Sequence, residues 1–197
     1  MSALEAALRQ ISIDLTDAGV RFALIGGLAV SVRTEPRFTR DADLAVALPS
    51  DVEAEALIRT LQTSGYGIEA IIEQAAVGRL ATARLIRFSQ PQPPVIDLLF
   101  ALSGIEPEIV AESERMELLP NLTLGVARTG HLIALKIRSR DDLTRPQDLV
   151  DLRALGRVAS ATELARTRHS LMLITNRGYD RGRNLLFEMN VLFPDAR

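Results

Sequence analysis

Two aspartates, Asp41 and Asp43, lie one residue apart in a segment, residues 38–48, whose polar and apolar side chains alternate as in a β-strand. Alternate strand residues share a face, so both carboxylates are expected on the same side. Two such carboxylates repel each other unless a cation lies between them, and Mg²⁺ prefers oxygen ligands of this kind together with substrate phosphates. The pair therefore predicts a magnesium site, with a solvent-facing polar strand edge as the alternative.

A third acid, Asp97, lies within the apolar segment VIDLLF at residues 95–100. An unpaired charge there would be costly, so a metal ion or a buried arginine should compensate it. Three acids on neighbouring strands around two Mg²⁺ ions can stabilise the attacking and leaving oxygens of a phosphoryl-type transfer. The alternative is an ion pair between Asp97 and Arg84 or Arg87 across a hairpin.

Two glycines, Gly26 and Gly27, separate a predicted strand from a predicted helix. Glycine lets the backbone approach a phosphate closely, and a helix N-terminus offers N–H groups and positive partial charge. A glycine pair taken alone is more often only a tight turn, so this motif gains meaning from the acids that follow it.

Lys136 is the only lysine of the chain, against 22 arginines. An ammonium group is a compact point charge that suits a β- or γ-phosphate, and arginine would change both reach and geometry. Arg140, four residues further along the predicted helix, can share its face and add to the phosphate contacts.

The composition excludes several classes of protein. The 197 residues have a net charge of −2, 47% hydrophobic content and no cysteine. These values exclude a uniformly basic nucleic-acid binder, a disordered chain, and disulfide, thiolate or cysteine–zinc chemistry. No secretory leader and no apolar run of about 18 residues is apparent, which predicts a cytoplasmic protein without a membrane span. His131 and His169 have no partner nucleophile at a diagnostic spacing, so both are assigned to packing or the surface.

The surrounding pattern predicts an α+β fold, a mixed sheet with helices packed on it and a helical C-terminal half. The expected helices cover residues 2–18, a segment starting after Gly27, 51–64, 129–139, 146–157, 162–176 and 181–190. The expected strands cover residues 21–25, 38–48, 67–72, 80–88 and 94–100, with a turn-rich segment at 89–94. Ser50 and Thr129 are expected N-caps, and Pro146 suits the first position of its helix.

The glycine pair, the two spaced aspartates and the later Asp97 resemble the minimal motif of the DNA polymerase β nucleotidyltransferase superfamily. The segment HLIALKIRSRDDLTRPQDLVDL, residues 131–152, is more specific. It resembles the lysine helix and the aspartate-bearing helix of the AbiEii/AbiGii toxin nucleotidyltransferases, whose relatives include the MenT toxins. The resemblance covers residues 21 to about 155 and says least about residues 158–197.

The resemblance implies a role for each matching residue. Asp41 and Asp43 would bind Mg²⁺ and the nucleotide, with Asp97 as a less secure third metal ligand. Gly26, Gly27, Lys136 and Arg140 would contact the triphosphate. Asp148, with Asp151 one turn further on, would order the lysine or the acceptor. The predicted segments become helical after residue 120. We therefore expect a nucleotidyltransferase core at residues 1–120 and a helical part carrying the lysine helix at residues 121–197.

The implied function is that of the toxin of a toxin–antitoxin pair. Such an enzyme would transfer NMP from NTP to the 3′ end of tRNA and so block aminoacylation and translation. Some relatives are silenced by antitoxin-dependent phosphorylation of a hydroxyl beside the first carboxylate, and Thr39 holds that position, although strand propensity alone would also explain it. The alternatives are nucleotide transfer to a protein hydroxyl and a catalytically inert binding module of the same fold.

Charge is distributed unevenly along the chain. Residues 1–127 hold 10 basic and 17 acidic side chains, whereas residues 128–197 hold 13 and 8. The predicted metal site lies in the acidic part, and the arginine-rich helical part has the charge to meet RNA phosphates.

Overall fold

The computed structural model describes residues 2–37, 39–87 and 93–194, in which eight helices and seven strands form. The helices are α1 (Ala3–Asp17), α2 (Gly26–Arg33), α3 (Asp51–Thr63), α4 (Glu106–Ala111), α5 (Thr129–Ser139), α6 (Pro146–Val158), α7 (Ala161–Asn176) and α8 (Leu185–Leu192). The strands are β1 (Phe22–Ile25), β2 (Ala42–Val46), β3 (Tyr66–Gln74), β4 (Arg79–Arg87), β5 (Val95–Leu99), β6 (Glu114–Leu119) and β7 (Leu122–Val126). The predicted α+β class is confirmed.

All of these strands belong to one mixed sheet with the order β3-β4-β5-β2-β1-β7-β6. The central strands β1 and β2 are antiparallel, whereas β5 joins β2 and β7 joins β1 in parallel. The hairpins β3–β4 and β6–β7 form the two edges. In this arrangement Asp43 of β2 lies directly opposite Asp97 of β5, so two of the predicted site carboxylates are strand neighbours.

The strand predicted to carry both aspartates is shorter than the alternation indicated, and it includes only Asp43. Strand β2 begins at Ala42, so Thr39 and Asp41 precede it. The reason is its partner: β1 ends at Ile25, opposite Asp43, because the chain turns into α2 at the next residue. Phe38, Phe88 and residues 89–92 of the predicted turn lie outside the described residues.

Two of the three helix starts predicted from capping signals are confirmed. The Ser50 hydroxyl accepts a hydrogen bond from the Glu53 amide, and Pro146 is the first residue of α6. Thr129 is not an N-cap, because Arg128 occupies that position and Thr129 is already helical. A carboxylate from another helix takes the role of the N-cap side chain. Glu163 of α7 accepts a hydrogen bond from the Gly130 amide at 2.6 Å.

The C-terminal helices follow the prediction apart from the last. The expected helix at residues 181–190 is found at Leu185–Leu192. Arg181 and Gly182 both have positive φ, at 59° and 71°, which is incompatible with a right-handed helix. The side chain of Asn184 then caps α8 by accepting the Phe187 amide.

The sequence patterns did not reveal α4, β6 or β7. Strand β6 lies at the sheet edge with most of its side chains at least partly exposed, and such strands show a weak alternation signal. The predicted boundary between the core and the helical part lies between residues 120 and 121. Strand β7 lies after this boundary, and the helices that follow it begin at Thr129.

Helix α5 packs against α2, α6, α7 and α8. Most of its residues are buried, including Leu132, Ile133 and Ile137 in the hydrophobic core. The helix thereby holds Lys136 against α6, where Asp148 and Asp151 lie. None of the described helices is long and apolar enough to cross a lipid bilayer.

Candidate active site

The turn from β1 into α2 is built around one carboxylate. Gly26 has a φ of +63°, and a Cβ atom at this residue would lie 1.9 Å from Oδ2 of Asp43. The amide of Gly27 donates a hydrogen bond to Asp43. Only glycine permits this backbone conformation and this approach together, so the predicted turn and the second aspartate form one unit.

Three acids contribute to the electrostatics of this position. The pKa of Asp43 is raised to about 6, first by burial and then by the negative charges of Asp97 and Asp41. The charge of Lys136 and the Gly27 amide act in the opposite direction. Asp41, Asp97 and Lys136 therefore all lie near enough to Asp43 for their charges to influence its pKa.

The third acid already has a cationic partner. Nε and Nη2 of Arg84 donate to the two carboxylate oxygens of Asp97 at 2.9 and 2.8 Å. The two residues are cross-strand neighbours of β4 and β5, which is the ion pair that the sequence offered as the alternative. The side chain of Asp97 is only 10% exposed, so this bidentate contact satisfies a mostly buried charge.

The single lysine is held by two buried carboxylates. Nζ of Lys136 lies 2.7 Å from Oδ1 of Asp148 and 2.8 Å from Oδ2 of Asp151, one turn further along α6. The other oxygen of Asp148 accepts the Ser139 hydroxyl and lies 3.2 Å from Nε of Arg145. Asp148 and Asp151 thus both bind the ammonium group of Lys136.

Arg37 is a member of this cluster that the sequence interpretation missed. It lies between α2 and β2, and its Nη2 atom donates to Oδ2 of Asp151 at 2.8 Å. Although burial opposes the charged form, hydrogen bonds from Lys136, Gln147 and Arg37 keep the pKa of Asp151 below its usual value. No spacing rule could have identified Arg37, because its partner lies 114 residues away in the chain.

Thr39 lies beside the glycine turn. A Cβ atom at Gly27 would be 3.0 Å from its Oγ1 atom and 3.0 Å from Nη2 of Arg37. The hydroxyl also donates to the carbonyl of Asp41, at 3.5 Å. Thr39 thus contacts the backbone of Asp41, and it is not part of the strand.

Three other residues lie away from this cluster. Arg140 caps the C-terminus of α5 with non-helical dihedral angles, and its guanidinium bonds Asp142 at 2.6 Å through Nε. It therefore does not continue the helix face of Lys136. His131 is buried as expected, and His169 lies on α7.

The carboxylates fit a magnesium ion in a particular way. In the described part of the chain, no three acidic or histidine side chains converge to hold a metal by themselves. Mg²⁺, however, is commonly bound by one or two carboxylates with substrate phosphates completing its ligands. Asp41 and Asp43 would be such a pair, and Asp97 would have to release Arg84 to join them.

Comparison with solved structures identifies the fold. The chain resembles an antigenic nucleotidyltransferase-like protein from Paracoccidioides brasiliensis, with a TM-score of 0.55, 16% identity and coverage of 98% of this chain and 91% of that chain. It also resembles ANT(2'')-Ia in complex with adenylyl-2''-tobramycin, with a TM-score of 0.53, 14% identity and coverage of 87% and 97%. The fold is that of the nucleotidyltransferases.

Sequence comparison then defines the family. The profile of the nucleotidyl transferase AbiEii toxin family, of type IV toxin–antitoxin systems, matches residues 7–194. The chain belongs to this family, which confirms the resemblance seen in the motifs. Comparison with curated protein sequences gave no match.

Proposed function

We propose that this protein is a Mg²⁺-dependent toxin that transfers NMP from a nucleoside triphosphate to the 3′ end of tRNA in the cytoplasm. The acceptor hydroxyl would lose its proton to water as its oxygen bonds to the α-phosphorus, the bond from that phosphorus to the bridging oxygen of the β-phosphate would break, and pyrophosphate would leave. The observation that carries the proposal is the placement of Lys136, fixed by Asp148 and Asp151 and near enough to Asp43 to influence its pKa.

Each residue of the cluster has a task in this reaction. Asp41 and Asp43 would hold Mg²⁺, which when bound neutralises charge on the phosphates. Gly26 and Gly27 would let the phosphates approach the backbone at the start of α2. Lys136 would bind the β- or γ-phosphate as a fixed point charge. Since its position is set before the nucleotide arrives, little reorganisation is needed during the reaction.

Two residues keep narrower roles. Asp97 is proposed as a third metal ligand, reached only when Arg84 gives up its two hydrogen bonds. Arg140 is proposed to contact the nucleotide only if it exchanges Asp142 for phosphate. The cluster around Asp43 and Lys136 does not depend on either residue.

An RNA acceptor is favoured by the distribution of charge. Residues 128–197 hold 13 basic and 8 acidic side chains, and they include the helix that carries Lys136. A basic surface beside an acidic metal site can position a polyanion near the nucleotide without a uniformly basic chain.

The test is incubation of the purified protein and Mg²⁺ with total tRNA and each labelled NTP in turn. We expect label on the tRNA 3′ end with at least one nucleotide, and loss of aminoacylation of the labelled tRNA. Label on a protein band instead of RNA would select the protein-hydroxyl alternative. Absence of label on RNA with all four nucleotides would overturn the tRNA proposal.

The Asp41→Ala variant separates an enzyme from an inert binding module. Asp41 is partly exposed and precedes β2, so its loss should remove a metal ligand without disturbing the core. We expect the variant to lose both RNA labelling and growth inhibition. Growth inhibition equal to that of the wild type would favour the binding module.

Thr39 is proposed as the point at which the antitoxin acts. A phosphate on its hydroxyl would add about 1.5–2 negative charges beside Gly27 and Asp41, where the nucleotide phosphates would bind. After coexpression with the cognate antitoxin, the peptide containing Thr39 should gain the mass of one phosphate. An unmodified peptide from inactive protein would count against this mechanism.

A further inference from the structure

Two cations of the cluster share a single oxygen atom. Nη2 of Arg37 and Nζ of Lys136 each lie 2.8 Å from Oδ2 of Asp151. The other oxygen of Asp151 accepts Nε2 of Gln147 at 3.0 Å, and its side chain is 1% exposed. A buried carboxylate thus brings the charged ends of two side chains from different parts of the chain to one place.

That place is the glycine turn. Nη2 of Arg37 lies 3.0 Å from where a Cβ atom of Gly27 would be, so a larger residue at position 27 would push against the guanidinium. The side chain of Arg37 is 27% exposed, compared with 12% for Lys136. Both cations therefore keep some exposure to solvent, whereas the carboxylate that they share is buried.

The two cations adjoin the acids of the proposed metal site. Arg37 lies beside Gly27, whose amide donates a hydrogen bond to Asp43, and the charge of Lys136 acts on the same carboxylate. A nucleotide held through a metal at these acids would therefore meet positive charge from both side chains.

We propose that Arg37 is a second phosphate-binding cation of the active site, and that Asp151 is the positioning residue that sets Arg37 and Lys136 side by side. The inference rests on the proposed function and extends it to residues outside the metal-binding motif. Arg37 would grip two phosphate oxygens with its planar fork, and Lys136 would add a point charge to the same triphosphate. Asp151 would act through these two side chains without touching the nucleotide.

The test is titration calorimetry with inorganic tripolyphosphate and with each of ATP, CTP, GTP and UTP, all with Mg²⁺. Tripolyphosphate removes any dependence on the base. We expect Arg37→Gln to weaken tripolyphosphate and nucleotide binding about tenfold or more, the effect of losing a charge-assisted hydrogen bond. Arg153→Gln, at an exposed arginine of the same helix as Asp151, is the matched control and should bind as the wild type does.

The positioning role of Asp151 has a separate readout. Asp151→Asn should weaken tripolyphosphate binding, and its effect combined with Arg37→Gln should be smaller than the two single effects added together. A purely structural role would lower the melting temperature without this coupling in phosphate affinity. If Arg37→Gln does not fold, Arg37→Met keeps the apolar stem and decides the same question.

The outcomes separate the two proposals. Wild-type protein that binds tripolyphosphate or a nucleotide, with Arg37→Gln binding equally tightly, overturns the role of Arg37 and leaves the proposed function standing. Wild-type protein that binds none of these probes overturns the proposed function and this inference together. Additive effects of the two substitutions on phosphate affinity overturn the positioning role of Asp151.

Discussion

At Gly26 the backbone and a carboxylate occupy adjoining space, and the geometry of the site depends on both. The left-handed conformation of this residue ends β1, starts α2 and brings the Gly27 amide to Asp43. Gly27, the next residue of this turn, lies beside Arg37 and Thr39. A single change at residue 26 would therefore move groups that belong to three parts of the proposed site.

Replacing Gly26 by alanine should be considerably more harmful than the same change at Gly19. Both have positive φ, which costs an L-residue about 1–2 kcal/mol, but only Gly26 has atoms within 4 Å of the new methyl group. The clash with Asp43 should add about 1–3 kcal/mol to the loss. Urea unfolding of both variants, with nucleotidyl transfer assayed alongside, measures the difference. Equal losses of stability would show that Asp43 moves away freely.

The ion pair between Arg84 and Asp97 should limit binding of a metal in the absence of nucleotide. Arg84→Met releases both oxygens of Asp97 and keeps the apolar stem, so Mn²⁺ affinity should rise by about fivefold, the value of a partly exposed ion pair of about 1 kcal/mol. Arg87→Met, on the same strand but over the ring of Tyr66, is the control. Unchanged Mn²⁺ affinity in Arg84→Met would remove Asp97 from the set of metal ligands.

At the scale of the elements, α5 decides where Lys136 can be. The helix starts with its Gly130 amide bonded to Glu163 of α7, and a Cβ atom at Gly130 would lie 2.4 Å from the Glu163 carbonyl oxygen. Glycine therefore allows α5 and α7 to approach at the beginning of the lysine helix. Toward the other end, Lys136 ties α5 to α6 through Asp148 and Asp151.

Gly130→Ala should destabilise the protein, although alanine normally improves a helix by about 1 kcal/mol. The obstacle is a backbone oxygen, which cannot move without shifting α7. Gly156→Ala in α6 meets only the ring edge of Phe193, near the end of the described chain, and should cost less. Thermal unfolding compares the two variants. If Gly130→Ala instead raised the melting temperature, α5 and α7 would be able to move apart without a loss of stability.

The elements also show why sequence patterns succeed or fail. Helix α5 was predicted with its observed bounds, because a mostly buried helix carries a strong periodic signal. Strand β2 was predicted too long, since its end depends on where β1 stops. Strand β6 was missed because an exposed edge strand shows little alternation of polar and apolar residues. Arg37 was missed because its contact joins residues that are 114 positions apart in the chain.

Across the whole molecule, the site lies where an acidic segment meets a basic one. The carboxylates around Asp43 come from residues 1–127, which hold 17 acidic and 10 basic side chains, whereas Lys136 comes from the basic remainder. The two segments also meet through α5, which buries His131 near Glu112, Glu108, Glu163 and Arg166. This packing gives the fold a dependence on pH that is separate from the site.

Burial lowers the pKa of His131 to about 4, against the opposing charge of Glu112. In the unfolded chain this pKa is about 6.5, so below that pH the unfolded state binds a proton that the folded state does not. The free energy of unfolding should therefore fall as the pH drops from 6.5 toward 4, by at most about 3 kcal/mol. Urea unfolding of wild type and His131→Gln between pH 7 and 5 measures this, and the variant should show a shallower decline. Parallel curves would mean that other groups cause the acid sensitivity.

The pairing of the only lysine with Asp148 and Asp151 has a practical consequence for spectroscopy. Reductive methylation with ¹³C-formaldehyde would label one side chain in the chain, Lys136, besides the α-amino group. Because the ammonium group lies between Asp148 and Asp151, the resonance of the dimethylated amine would report on the surroundings of these two carboxylates. No other lysine would overlap with it. Because the chain has 22 arginines and one lysine, this labelling would place a single side-chain isotope reporter at Lys136.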